Sequence, residues 1–255
     1  MPDVTAAGTV WIASDLHLQP ATPQTCEAFL EFLEAAADQA DALLLLGDTF
    51  DAWIGDDVLH APPAWLAGII DAMARTARST ALWLGHGNRD FLIGTHMADA
   101  VGARLLPLQA RLVTDFGPML LTHGDELCTD DTAYQHMRNV VRDPTWQADM
   151  LARPLSERMQ IAAGLRAESE IGKAAKSMEI MDVNQSAVEQ LMRETGVSRL
   201  VHGHTHRPGR HGFLLDGRPA ERWVLPDWDV DCAQVRGGWL AIDRDGPALY
   251  DLLPA

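Results

Sequence analysis

Short apolar runs alternate with longer segments of helical spacing through the first half of the chain. The run in GTVWIAS stops at the polar stretch DLHL, and DALLLLGD holds the wholly apolar run expected of a strand buried on both faces. Between them, Phe29, Leu30, Phe32, Leu33 and Ala36–Ala37 draw a broad apolar stripe that predicts a helix over about 24–39. Pro62–Pro63 open a second helix reaching to about Ser79. TALWLGHGN is the next strand, and LLPLQARLVTDFGPMLLTHGD reads as strands turning at Phe116–Gly117–Pro118. From 131 to 195 the pattern is helical, interrupted at Pro144 and Pro154. SRLVHGHTH restores a strand, and the remainder reads as hairpins turning at Asp216–Gly217 and Asp245–Gly246. The sum is an α/β core whose strands end in polar motifs, with a helical insertion before the last of them.

Length and composition narrow this picture. With 255 residues, 47% of them apolar, the chain suits one domain over 1–255 carrying an insertion at about 131–195. A formal charge of −16 argues against a general nucleic-acid binder, which needs a basic face. Bound cations would offset part of that charge. Cys26, Cys128 and Cys232 have no CxxC spacing, which fits a reducing compartment and gives neither a disulfide framework nor a thiolate zinc site. The N-terminal stretch lacks the basic start and apolar core of a signal peptide, and no apolar run reaches about 18 residues. A cytoplasmic protein is expected, with contact to a membrane surface left open.

Five polar motifs follow predicted strands: Asp15-Leu16-His17, Gly47-Asp48, Gly87-Asn88-Arg89-Asp90, His123-Gly124-Asp125 and His202-Gly203-His204-Thr205-His206. Ligand groups collect beyond the carboxyl ends of strands in open α/β sheets, so distant motifs can meet there. Carboxylate oxygen, amide oxygen and imidazole nitrogen are what hard or borderline divalent ions take. Asp15 and His17 are close enough to share an ion, and Asp48 has two oxygens with which to bridge a pair. Three alternating histidines in an extended backbone would point to one face. Each short motif alone is more often a turn or strand end; their ordered set is what points to metal.

That order, D-x-H, GD, GN, H, GHxH, resembles the calcineurin-like metallophosphoesterases. The resemblance implies a two-sheet α/β sandwich with flanking helices and two divalent metal ions at the strand ends. It assigns Asp15, His17, Asp48 and His206 to one ion and Asp48, Asn88, His123 and His204 to the other. Mn²⁺ suits the oxygen-rich set, with iron and Zn²⁺ also possible. Such a pair activates water and offsets charge in an in-line phosphoryl displacement. Most relatives carry a histidine after the third-motif asparagine, where it helps protonate the leaving group. Here Arg89 stands there, a permanent cation that clamps phosphate but cannot act as an acid. A phosphate leaving group, with a second pKa of about 6, needs no such proton, so pyrophosphate cleavage is favoured. The alternative is that Arg89 only pairs with Asp90.

Longer stretches, LLGDTFDAWIGDD, GHGNRDFLIG, THGDELCTDDTAYQ, IMDVNQ and VHGHTHRP, are similar to the UDP-2,3-diacylglucosamine diphosphatases over nearly the whole chain. This implies a lipid A enzyme, peripheral at the cytoplasmic face of the bacterial inner membrane, with no obligate protein partner. Substrate contacts fall on Asn88, Arg89, Asp131, Ser169, Lys173, Lys176 and His204. Lys173 replaces a small polar residue of the family, and it could reach phosphate or face water. In the insertion, Trp146, Met150, Leu151, Leu155, Met159, Ile161 and Leu165 could form a helical lid around acyl chains. Arg138, Arg142, Arg153, Arg158, Arg166, Lys173 and Lys176 make it locally basic, suited to phosphate or an anionic bilayer. The plainer alternative is an amphipathic helix pair packed on the core with solvated arginines. Two rivals remain open from sequence: a diphosphohydrolase of free nucleotides, and a non-catalytic scaffold, the latter disfavoured because no ligand position is lost.

Overall fold

Wholly apolar runs of four residues become central strands because they leave no face for water. In the computed structural model, which describes residues 1–174, 180 and 182–252, the first half runs β1 (Asp3–Thr5), β2 (Val10–Ala13), α1 (Pro23–Gln39), β3 (Ala42–Leu45), α2 (Ala64–Thr76), β4 (Ala81–Leu84), α3 (Thr95–Val101), β5 (Arg104–Leu105), β6 (Gln109–Thr114) and β7 (Gly117–Thr122). Then come α4 (Thr132–Val141), α5 (Pro144–Leu151), α6 (Leu155–Ala174) and α7 (Gln185–Thr195). The chain closes with β8 (Arg199–His202), β9 (Gly209–Leu215), β10 (Arg218–Val224), β11 (Gly238–Asp243) and β12 (Gly246–Asp251).

The strands form two mixed six-stranded sheets, ordered β12-β11-β2-β3-β4-β5 and β1-β6-β7-β8-β10-β9. Period-two alternation sorts the core into layers. Trp11, Leu43 and Leu45 pack with Phe29, Phe32, Leu33, Ile69 and Met73 of the helices α1 and α2. Their neighbours Ile12 and Leu44 face the other way, onto Leu112, Met119, Leu121 and Val201 of the second sheet. Beyond that sheet, Leu120 and Leu200 meet Val188, Leu191 and Met192 of α7. The two-sheet sandwich with flanking helices is as expected.

Register is what positions the site. β2, β3 and β4 are parallel, with Ala13 opposite Leu45 and Leu45 opposite Leu84. Their carboxyl ends therefore reach one edge together. β7 and β8 are also parallel, with Leu121 opposite Val201. All five polar motifs leave the sheets at these ends.

Some local expectations shift. The Asp216–Gly217 turn is left-handed at both residues, with φ of 50° and 78°, as a two-residue hairpin loop requires. The β11–β12 turn instead centres on Arg244–Asp245, because Gly246 pairs with Asp243 and the Asp243 carboxylate accepts from Asp245 N and Gly246 N. The β6–β7 turn likewise falls at Asp115–Phe116, with Gly117 and Pro118 already in the strand. The short β1, β5 and α3 carry too little pattern to be read from sequence. The α1 N-terminus has no side-chain cap of its own; the distant Asp231 carboxylate accepts from Gln24 N and Thr25 N instead.

Candidate metal centre

Each site loop is set by backbone bonds before any side chain is considered. Asp15 N donates to the Gly47 carbonyl and His17 N to the Asp48 carbonyl, zipping the loops after β2 and β3 together. The Asp90 carboxylate then gathers the third motif, accepting from Gly87 N, Asp48 N and Thr49 N. Gly203 N donates to the His123 carbonyl, which joins the loops after β7 and β8. Across the two sheets, His204 N donates to Asp15 Oδ2 at 2.9 Å. The approach is close enough to require glycine, since a Cβ on Gly87 or Gly203 would fall about 2 Å from a carboxylate oxygen of Asp48 or Asp15.

The five motifs do converge. Asp15 Oδ1 lies 3.4 Å from His206 Nε2 and 4.0 Å from His17 Nε2. Asp48 Oδ2 stands between His17 Nε2 at 3.9 Å and His123 Nε2 at 3.7 Å. Asn88 Oδ1 faces His123 Nε2 at 3.3 Å and His204 Nδ1 at 2.8 Å. Asp15, His17 and His206 form one group able to hold an ion, and Asp15, Asp48 and His123 another. Asp15 Oδ1 is fully buried and receives no hydrogen bond, which is costly for a carboxylate unless a cation faces it. The donors are oxygen and imidazole nitrogen throughout, so the residues present fit a pair of divalent ions.

Backbone conformation marks the same residues. Among the described residues the non-glycine positions with left-handed φ are Asp15 (56°), His17 (48°), Asp48 (51°), His204 (64°), His206 (52°) and the turn residue Asp216. Such a conformation costs an L-residue about 1–2 kcal/mol. Strain of this kind persists where the surroundings over-determine it. It also revises the expectation for the first of the three histidines. β8 ends at His202, and its successors turn rather than alternate, so His204 and His206 enter the site while His202 points away to Arg222.

Burial and mutual proximity set the charge state of these groups. Burial would lift the Asp15 carboxyl, but His206, His123 and His17 outweigh it and hold it well below the ordinary carboxylate range. Burial pushes Asp48 up to about 7, with Asp90 and Asp15 adding repulsion against the pull of His123. Burial alone would lower His123; Asp48, Asp15, Asp125 and Asp90 instead raise it to about 9. His17 falls to about 3 and His204 to about 4, chiefly through burial. Without a cation the centre therefore lodges protons on Asp48 and His123, while His17 and His204 stay neutral. The Arg89 guanidinium is near enough to help depress His17.

Other expected residues fall as follows. Arg89 is half-buried, its N–H donates to Asp48 Oδ1 at 2.7 Å, and its carbonyl accepts from Trp53 N. Asp90 spends its carboxylate on backbone amides, as described. Asp131 caps α4, accepting from Tyr134 N. The side chains of Ser169 and Lys173, and Lys176 entirely, lie outside the described residues. The insertion's arginines find partners within the chain, although the side chains of Arg153 and Arg166 stay partly exposed to solvent. Arg138 pairs with Asp125, Arg153 with Glu157, the buried Arg158 with Asp57, and Arg166 with Asp51, while Arg142 donates to the Gly87 carbonyl. Arg138, Arg142, Arg158 and Arg166 fasten the helices to the core, while Arg153–Glu157 is an exposed pair within the insertion. Residues without an assigned role from sequence also matter. Asp125 takes Tyr134 Oη and Arg138, and Asp227 faces His206 Nδ1 at 3.5 Å while pairing with Arg236. Asp125 had the signal of lying inside a motif; Asp227 had none.

Three comparisons bear on this geometry. Residues 8–208 match the calcineurin-like phosphoesterase profile. A UDP-2,3-diacylglucosamine hydrolase of Bordetella pertussis is 60% identical over 247 residues, covering 96% of each chain. One from Aromatoleum aromaticum is 48% identical, covering 88% of this chain and 90% of its own.

Cation uptake must displace the protons on Asp48 and His123, so affinity should rise with pH. We expect Mn²⁺ to bind at least about tenfold more tightly at about pH 7 than at about pH 6. Calorimetric titration in buffers of differing protonation enthalpy checks both the affinity and the protons released. An affinity flat across that range would show that no ligand holds a displaceable proton.

Proposed function

The chain belongs to the calcineurin-like phosphoesterase family, and from that premise we propose that it hydrolyses the pyrophosphate bond of UDP-2,3-diacylglucosamine. The products are UMP and 2,3-diacylglucosamine 1-phosphate, lipid X of lipid A biosynthesis. The observation that carries the reading is the meeting of donors from five loops around the orphaned Asp15 Oδ1. Asp15, His17, Asp48 and His206 would hold one cation, and Asp48, Asn88, His123 and His204 the other. Two such ions, with Mn²⁺ best suited to the oxygen-rich set, make water nucleophilic near neutral pH and offset phosphoryl charge.

The chain's own residues supply the rest. Water adds to the α-phosphorus as the bond to the bridging oxygen breaks, and the sugar 1-phosphate leaves with that electron pair. Arg89 orients and neutralises the phosphates. It has no proton to give at working pH, and this leaving group needs none. Asn88, Asp131, Ser169, Lys173, Lys176 and His204 complete the substrate contacts in this reading. Substrate identity rests on the activity for which the 60% and 48% identical relatives are named.

The insertion at 131–195 serves, in this reading, as an acyl-chain lid on one catalytic domain spanning 1–255. Its support is a set of apolar side chains that the fold leaves exposed, Val140, Leu151 and Met159, beside the packed Trp146 and Met150. No described helix is long and apolar enough to cross a membrane. Peripheral contact with the cytoplasmic face of the inner membrane would bring the lid to its lipid substrate.

Asp48→Ala should abolish hydrolysis of UDP-2,3-diacylglucosamine, because it removes a ligand shared by both ions; activity within a few-fold of wild type would refute the sharing. Arg89→Ala should retain bound metal, measured by elemental analysis, yet lose about 100-fold or more in turnover; normal kinetics would reduce Arg89 to a surface pair. In ¹⁸O-labelled water the label should enter UMP. Label in the sugar phosphate would place the attack on the other phosphorus.

A further inference from the structure

The segment returning from the insertion to α7 carries Asp182, an acid with no role in the site described above. Its Oδ2 accepts from Arg207 at 2.9 Å and its Oδ1 from Arg222 at 3.3 Å. Arg222, a buried side chain of β10, turns the same nitrogen toward His202 Nε2 at 3.1 Å. His202, fully buried at the end of β8, meets the Gly203 carbonyl through Nδ1 at 2.8 Å.

The tautomer of His202 follows from these partners. A guanidinium only donates, so Nε2 must accept. The proton of the neutral ring then sits on Nδ1 and is donated to the Gly203 oxygen. That oxygen also accepts from Thr205 N at 2.7 Å, so both its lone pairs are engaged. The next peptide N–H, that of His204, is the one that reaches Asp15 Oδ2. At the other end, Arg207 directly follows His206. One carboxylate thus grips both ends of the loop that presents two ligands in left-handed backbone.

We propose that Asp182 is a positioning residue for the metal centre, holding His204 and His206 through Arg222 and His202 on one side and through Arg207 on the other. This rests on the two-cation reading of the site. Its physical basis is that His204 and His206 sit at φ of 64° and 52° and would relax toward ordinary backbone if either end were released. It also ties the seating of the helical insertion to the ligands, since Asp182 belongs to the segment by which the insertion returns. Partners that orient ligands in this way are worth about 10–100-fold in metal affinity.

The test has two arms. Long-range ¹H–¹⁵N correlation on the metal-free protein reads the His202 tautomer, with Nδ1–H expected; Nε2–H would overturn the proposal. Mn²⁺ titration of Asp182→Ala and Arg222→Met should show about 10–100-fold weaker binding, with Arg222→Lys recovering much of it. A purely structural role would lower the melting temperature of the metal-free variants while leaving Mn²⁺ affinity at the wild-type value, and that result also overturns the proposal. Should Arg222→Met fail to fold, Asp182→Ala decides the affinity arm. A wild type that binds no Mn²⁺ counts against the two-cation reading instead. The tautomer alone then sustains or overturns the clamp.

Discussion

The structure depends on keeping unneutralised carboxylates at a point that water barely reaches. Asp15 and Asp48 are both buried at the edge where the carboxyl ends of two sheets meet. At such separations like charges repel strongly, and burial penalises each of them further. The metal-free chain answers with protons on Asp48 and His123 and with His206 turned onto Asp15. A pair of divalent cations would answer better, because it would neutralise both carboxylates without a proton on either. The acidic balance of the protein and the chemistry of its site are in this respect one fact.

Holding that arrangement takes a second set of acids, each committed to backbone or to arginine. Asp90 gathers three amides from two loops, so the chain reaches Asp48 and Asn88 at fixed angles. Asp125 binds Tyr134 and Arg138 and thereby joins the first helix of the insertion to the loop of His123. Asp227 stands behind His206. These carboxylates are compensated where they stand, by several hydrogen bonds or by permanent cations, whereas Asp15 and Asp48 each take a backbone N–H on one oxygen and turn the other toward the site histidines. The distinction separates scaffold from ligand more sharply than burial does, since both kinds are buried.

The insertion is coupled to the centre by the same means. Its arginines were expected to offer positive charge to phosphate or lipid; instead Arg138, Arg158 and Arg166 reach down to Asp125, Asp57 and Asp51. The cost of burying Arg158 is offset by the Asp57 carboxylate and the Ile54 carbonyl, which accept from its guanidinium. Among the exposed residues of these helices, Val140, Leu151 and Met159 are apolar and stand beside polar ones such as His136, Asp149 and Gln160. In the proposed reading, those apolar side chains would meet the acyl chains.

The sequence by itself determined the strands, through runs such as Ala42–Leu45 with no polar face to spare, and the main helices, through the spacing of Phe29, Phe32, Leu33 and Ala36. It also determined the chemistry of the ligand set, since carboxylate, amide and imidazole at strand ends leave few other uses. Tertiary structure alone decided which histidines point inward. Alternation put His202 with its neighbours, and a strand that stops at His202, followed by two left-handed residues, put it elsewhere. It likewise decided the roles of Asp182, Asp227 and Asp231, whose partners lie as far as 207 residues away. Local pattern reports what a side chain can do. Which partner it meets depends on contacts that form only once both sheets have closed.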